Sequence, residues 1–136
     1  MPPLRSVCVL AVVLVGSSPF AELPRVPVAV AQTCGGDVGA EAEVALVQIG
    51  DRIEHGVRAV IHYDAGVYDG SCALTVTAAW TNLDTGASGS GPVNAVSTID
   101  GHYGFIGYAN TTFETGRGTV VVIFSSHPGA ELTITT

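Results

Sequence analysis

The sequence predicts an all-β protein: a single antiparallel sandwich of about seven short strands behind an N-terminal export signal. Three observations carry that prediction. Runs of six to twelve residues rich in Val, Ile, Thr and aromatics recur from Val44 to Thr136, several with an apolar-polar period of two. Clusters of Gly, Pro, Asp and Ser separate them, and helical periodicity is almost absent. The first thirty-one residues stand apart from this pattern as an apolar run followed by helix breakers.

In that N-terminal segment Arg5 supplies a weak positive charge, and Val7 to Val15 (VCVLAVVLV) is unbroken apolar sequence. A membrane span needs roughly 20 such residues, so the run suits the core of a signal peptide better than an anchor. Gly16, Pro19, Pro24 and Pro27 follow, and Ala29-Val30-Ala31 is a small-x-small cleavage pattern before Gln32. A second pattern, Pro19-Phe20-Ala21, lies upstream. The expected organisation is a signal peptide over 1–31 and one β-sandwich domain over 32–136, secreted or associated with the cell envelope. Neither Cys8 nor Cys34 is preceded by the small residues of a lipoprotein signal.

The strand assignments follow in order. Val44 to Ile49 is mostly apolar. Val57 to Tyr63 alternates, with Val57, Ala59, Ile61 and Tyr63 on one face. Cys72 to Trp80 alternates more clearly, placing Cys72, Leu74, Val76, Ala78 and Trp80 together, with Thr75 and Thr77 opposite. Asp84 to Pro92 (DTGASGSGP) reads as a turn-rich loop. Val93 to Ile99 leads into Asp100-Gly101, a strong two-residue hairpin signal. His102 to Phe113 returns, with Gly104 and Gly107 as bulge or close-approach sites. Thr119 to Ser125 is the most apolar strand, and Glu131 to Thr136 closes the chain. Asp37 to Glu43 is expected to form at most a short helical turn, weakened by Gly39.

Removal of the leader takes Cys8 with it and leaves Cys34 and Cys72. An even count in an exported chain reads as one disulfide, and no CxxC spacing suggests a reactive pair. Trp80, Leu74 and Val76 are expected in the core.

Composition excludes several function classes. Residues 32–136 carry three arginines, Arg52, Arg58 and Arg117, against eleven carboxylates, and the chain has no lysine. Counterion-release binding to nucleic acid needs a cation patch, and attraction to anionic lipid needs the same. No second apolar run follows that is long enough to span a bilayer. A lysine-free chain rich in Ala, Gly and Val is what a high-GC genome tends to encode.

Strand count, turn spacing and a tryptophan near a disulfide together resemble the immunoglobulin-like β-sandwich class. One departure is specific: Cys72 and Trp80 share a strand, and Cys34 precedes the first clear strand. The disulfide is therefore expected to pin an N-terminal arm rather than bridge the two sheets as in immunoglobulin domains. Trp80 to Gly86 (WTNLDTG) also resembles a segment of small exported actinobacterial all-β proteins of unknown function. That resemblance implies no activity.

Each candidate for chemistry has a plainer structural alternative. His62 and Asp64 lie two apart on one face, in reach of acid-base work or a metal, but an outward polar face accounts for them equally. Asp51, Glu54 and His55 crowd one loop at a spacing foreign to standard zinc motifs. Asp64, Asp69, Asp84 and Asp100 sit in or beside loops, as calcium ligands do, and as turn-forming aspartates do. Ser125-Ser126-His127 lacks a nucleophile-elbow motif. No catalytic residue, metal ligand or cofactor is assigned. The aromatic segment holding His102, Tyr103, Phe105 and Tyr108 is the candidate ligand surface, with packing into the core as the alternative for Tyr103 and Phe105. The expected function is a non-catalytic binding or interaction module whose partner is a protein or polysaccharide. The alternatives are a carbohydrate-binding module on the aromatic strand and a small hydrolase using His62, Asp64 or His102.

Overall fold

The computed structural model describes residues 19–99 and 106–136. Among these are eight strands: β1 (Phe20–Pro27), β2 (Asp37–Ile49), β3 (Arg52–Asp64), β4 (Asp69–Asn82), β5 (Ser88–Thr98), β6 (Tyr108–Phe113), β7 (Thr119–Phe124) and β8 (Leu132–Thr135). They form two four-stranded sheets, ordered β1-β2-β3-β6 and β5-β4-β7-β8, with every pairing antiparallel. No helix in the described residues is long and apolar enough to cross a membrane.

The all-β sandwich is as expected. Set β1 aside, and β2-β3-β6 faces β5-β4-β7-β8. Trp80 lies on β4, an inner strand of the second sheet. The core fills from both inner faces: Val38, Val57, Ile61 and Tyr63 from one sheet, and Val76, Val93, Val122 and Ile134 from the other, all nearly or fully buried. Trp80 retains 9% of its exposure, Val76 1%, and Leu74 packs on the cluster from its rim.

Three local expectations are corrected. Asp37 to Glu43 is strand, not a helical turn: Val38, Ala40 and Ala42 point inward and pair with β1 and β3. A period-two apolar face buried on a core overrides the helix preference of Ala and Glu. The loop expected over Asp84 to Pro92 shrinks, because β5 already starts at Ser88. The glycines there are packing residues. Gly89 sits opposite Trp80 in the ladder, and a Cβ on it would lie 2.9 Å from the indole Nε1. Only glycine lets the ring lie flat over that strand. Finally, an eighth strand appears in β1, within the segment read as signal peptide. Its Leu23 and Val26 pack against the core cluster.

Cys34 and Cys72 lie at disulfide distance, with Cα atoms 5.5 Å apart, in a loop closing 38 residues. Cys34 belongs to the β1–β2 connection and Cys72 to β4, so the bond ties that connection to the second sheet. Gly107 adopts a positive φ of 56°, and any side chain there would strike the Tyr63 carbonyl. This is a close-approach site, as expected for that position. Asp100-Gly101 and Gly104 lie outside the described residues. Ile99 and Ile106 bridge across that gap.

Candidate functional site

The two sheets turn chemically different faces to solvent. The strands of the first sheet carry nine Asp, Glu and Arg residues, all on β1, β2 and β3. The second sheet carries one, Asp69, at the first position of β4. This asymmetry arises from sequence alternation. Every second residue of β4 after Cys72 is Ala or Thr, and β5, β7 and β8 oppose them with Ser, Pro, Asn, Val, Ile and Thr.

On the charged face, His62 Nε2 lies 2.6 Å from Glu41 Oε1, both side chains about one-quarter exposed. The Tyr108 ring stands edge-on to the imidazole at 5.3 Å between centroids. Gly39 lies directly opposite His62 in the ladder, and its missing side chain leaves a shallow depression of about 200 Å³ lined by Glu22, Arg25, Glu41 and His62. Arg25–Asp37 and Arg58–Glu43 pairs flank it at 2.6 and 2.9 Å. The cluster offers acceptors, one imidazole and an exposed ring; among the described residues no serine, threonine or cysteine lines the depression.

His62 and Asp64 do not act together. Asp64 Oδ1 accepts the Gly66 N–H at 2.9 Å, and its carboxylate also holds the Tyr68 hydroxyl, which pushes that phenol above its ordinary pKa. Asp69 Oδ1 accepts both the N–H and the hydroxyl of Ser71, which holds its carboxyl below the usual range. Asp84 Oδ2 accepts the Thr119 N–H. These three aspartates shape turns and strand ends. Asp100 lies outside the described residues. The Asp51, Glu54 and His55 region is the β2–β3 hairpin tip, where Glu54 pairs with Arg52. Among the described residues no three His, Cys, Asp or Glu side chains group as a metal site.

His127 is 5% exposed, and its role was not readable from the sequence. Its Nε2 lies 2.8 Å from the Pro24 carbonyl, which can only accept, so that nitrogen carries the proton. Nδ1 then accepts the Ser126 hydroxyl at 2.8 Å. Nε2 thus ties the β7–β8 turn to β1, and Nδ1 braces the turn locally. Asn82 was likewise missed. Fully buried, it donates to the Thr115 and Arg117 carbonyls and accepts from the Asp84 and Thr85 amides. Asn82 thus makes the WTNLDTG segment a structural corner: Trp80 enters the core, Asn82 stitches two turns together, and Gly86 closes the bend at φ 80°.

Of the expected ligand surface, Tyr108 is 42% exposed on the outer face of β6. His102, Tyr103 and Phe105 lie outside the described residues. The outer face of the second sheet is the feature that sequence reading passed over. Thr75, Thr77 and Thr81 alternate with Ala79 along β4, beside exposed Asn94 and Val96 of β5 and Ile123 of β7. Thr75 donates to Asn94 Oδ1 at 2.7 Å, joining one hydroxyl and one amide across the β4–β5 pair. Comparison with protein families, with curated proteins and with solved structures returned no match to this chain.

Proposed function

We propose that this is an exported, non-catalytic binding module of the cell envelope or surrounding medium, and that it meets its partner through the outer face of the second sheet. The observation that carries this reading is the scarcity of charge there in a strongly acidic chain: Asp69 at the start of β4 is the one charged residue on its strands, and Glu131 stands at the rim beside Thr77 and Ile123. A face of hydroxyls and small apolar groups can approach a neutral protein or polysaccharide surface without stripping water from ions, which is costly. The engagement of both His127 ring nitrogens, by a hydroxyl and a carbonyl, supports a structural role for that histidine. The disulfide pair supports an oxidising compartment.

A photo-crosslinking residue placed at Thr77 tests the reading in the exporting cell. Crosslinks to one envelope component from position 77, lost on Ile123→Arg, are expected. Crosslinks from position 62 and none from 77 would transfer the site to the charged sheet. A second reading, carbohydrate binding, is favoured by the exposed Tyr108 ring beside Glu41, His62 and the depression over Gly39. A ring plus nearby acceptors is how sugar faces are held. Titration with neutral oligosaccharides, comparing wild type with Tyr108→Ala, separates the two.

A further inference from the structure

We infer that the export signal is cut after Ala21, so that the mature chain begins at Glu22 and keeps β1 from Glu22 to Pro27, losing only its first two residues. The inference rests on the export reading above, and it goes against the more obvious small-residue pattern at Ala29-Val30-Ala31. Two features of the structure and one of the sequence carry it.

First, the segment between the two sites is built into the sandwich. Glu22, Leu23, Val26 and Pro27 are in register with Glu41, Ala40, Val38 and Asp37 of β2. Leu23, Val26 and Val28 pack against the core cluster. A cut after Ala31 would strip those apolar groups from the core cluster they cover and leave the backbone of β2 as an open edge, which invites pairing with other chains.

Second, polar partners of the remaining domain reside in this segment. The buried His127 donates to the Pro24 carbonyl, and Asp37 pairs with Arg25. The Val28 amide donates to Gly36, and the Val30 and Ala31 amides to Cys34. Without residues 22–31, the His127 N–H would lose its acceptor together with the strand that covers it, and the chain leading into Cys34 would lose its bracing.

Third, the earlier site suits the leader itself. Export signals run about 15–30 residues with the cut following the apolar core closely. Ala21 lies six residues past Val15, and Ala31 sixteen. Pro24 and Pro27 also make sense on this account. Proline guards an exposed edge strand because it offers no N–H to an incoming chain. A leader has no edge to guard.

N-terminal sequencing of the protein recovered outside an exporting host, expressed from its full-length sequence, decides the matter. The expected readout is Glu-Leu-Pro-Arg. Ala31→Arg should leave both that readout and the secreted yield unchanged, whereas Ala21→Arg should abolish the Glu22 terminus. A start at Gln-Thr-Cys-Gly would overturn the inference while leaving export intact. An uncut Met1 chain confined to the cytosol would instead overturn export, and this inference with it.

Discussion

Removing the Trp80 side chain is the sharpest perturbation of this sandwich. The ring retains 9% exposure and lies over Gly89 of the neighbouring strand. Burying a tryptophan removes about 150–250 Å² from water, worth about 4–6 kcal/mol at ~25 cal/mol per Å² as an upper figure. Measured Trp→Ala changes in cores fall at about 3–5 kcal/mol. A domain of this size has only about 5–15 kcal/mol in total, so Trp80→Ala should lower Tm by about 12–20 °C at roughly 4 °C per kcal/mol. Circular dichroism melts measure it, with Thr77→Ala on the opposite face as a control that shifts little. The close approach to Gly89 adds a second, more specific expectation. Gly89→Ala forces a methyl into the indole and should cost about 1–3 kcal/mol in the wild-type background. In Trp80→Ala the obstruction is gone, and the same change should be neutral or stabilising, since Ala is the better strand residue. Equal costs of Gly89→Ala in both backgrounds would refute the packing argument. So would native tryptophan emission at the wavelength of free indole in water.

The remaining predictions concern the staple, the corner and one carboxylate. Replacing both Cys34 and Cys72 by Ser should cost about 2–5 kcal/mol in a denaturant titration, since the bond closes a 38-residue loop, and the unreduced wild type should show no thiol to a labelling reagent after unfolding. Asn82→Leu leaves two carbonyls and two amides short of a partner, and should destabilise by at least about 1–3 kcal/mol, read by the same titration. Ser71→Ala should return the Asp69 carboxyl upward towards its ordinary pKa in an NMR titration. The sign follows from the lowered value: the Ser71 contacts favour folding above the ordinary aspartate pKa, and that contribution is lost as pH falls through the folded-state value.

Much of the molecule was determined by sequence alone. Period-two alternation located the centres of β3 and β4, because a strand half-buried on a core must show its two faces in its residue pattern, and apolar β-branched runs bounded by turn residues located β5 and β7. The same alternation put Trp80, Leu74 and Val76 on the inner side of β4, and cysteine parity paired Cys34 with Cys72. Local pattern failed where a residue's role depends on a distant neighbour. Gly89 and Gly91 look like loop glycines until the Trp80 and Phe113 rings are laid across them. Asp37 to Glu43 has helix-forming composition until β1 and β3 flank it. Phe20 to Pro27 resembles discarded leader until β2 offers an edge. His127 and Asn82 are ordinary polar residues in one dimension, and their partners lie 103 and 33 positions away at Pro24 and Thr115. The charge-poor face has the same origin. Apart from Asp69 at the start of β4, the strands of the second sheet contribute neutral residues, unremarkable singly, and only hydrogen-bonded pairing of β5, β4, β7 and β8 sets them side by side as one surface. Burial of one strand face is written locally, but contact between faces is a property of the folded chain.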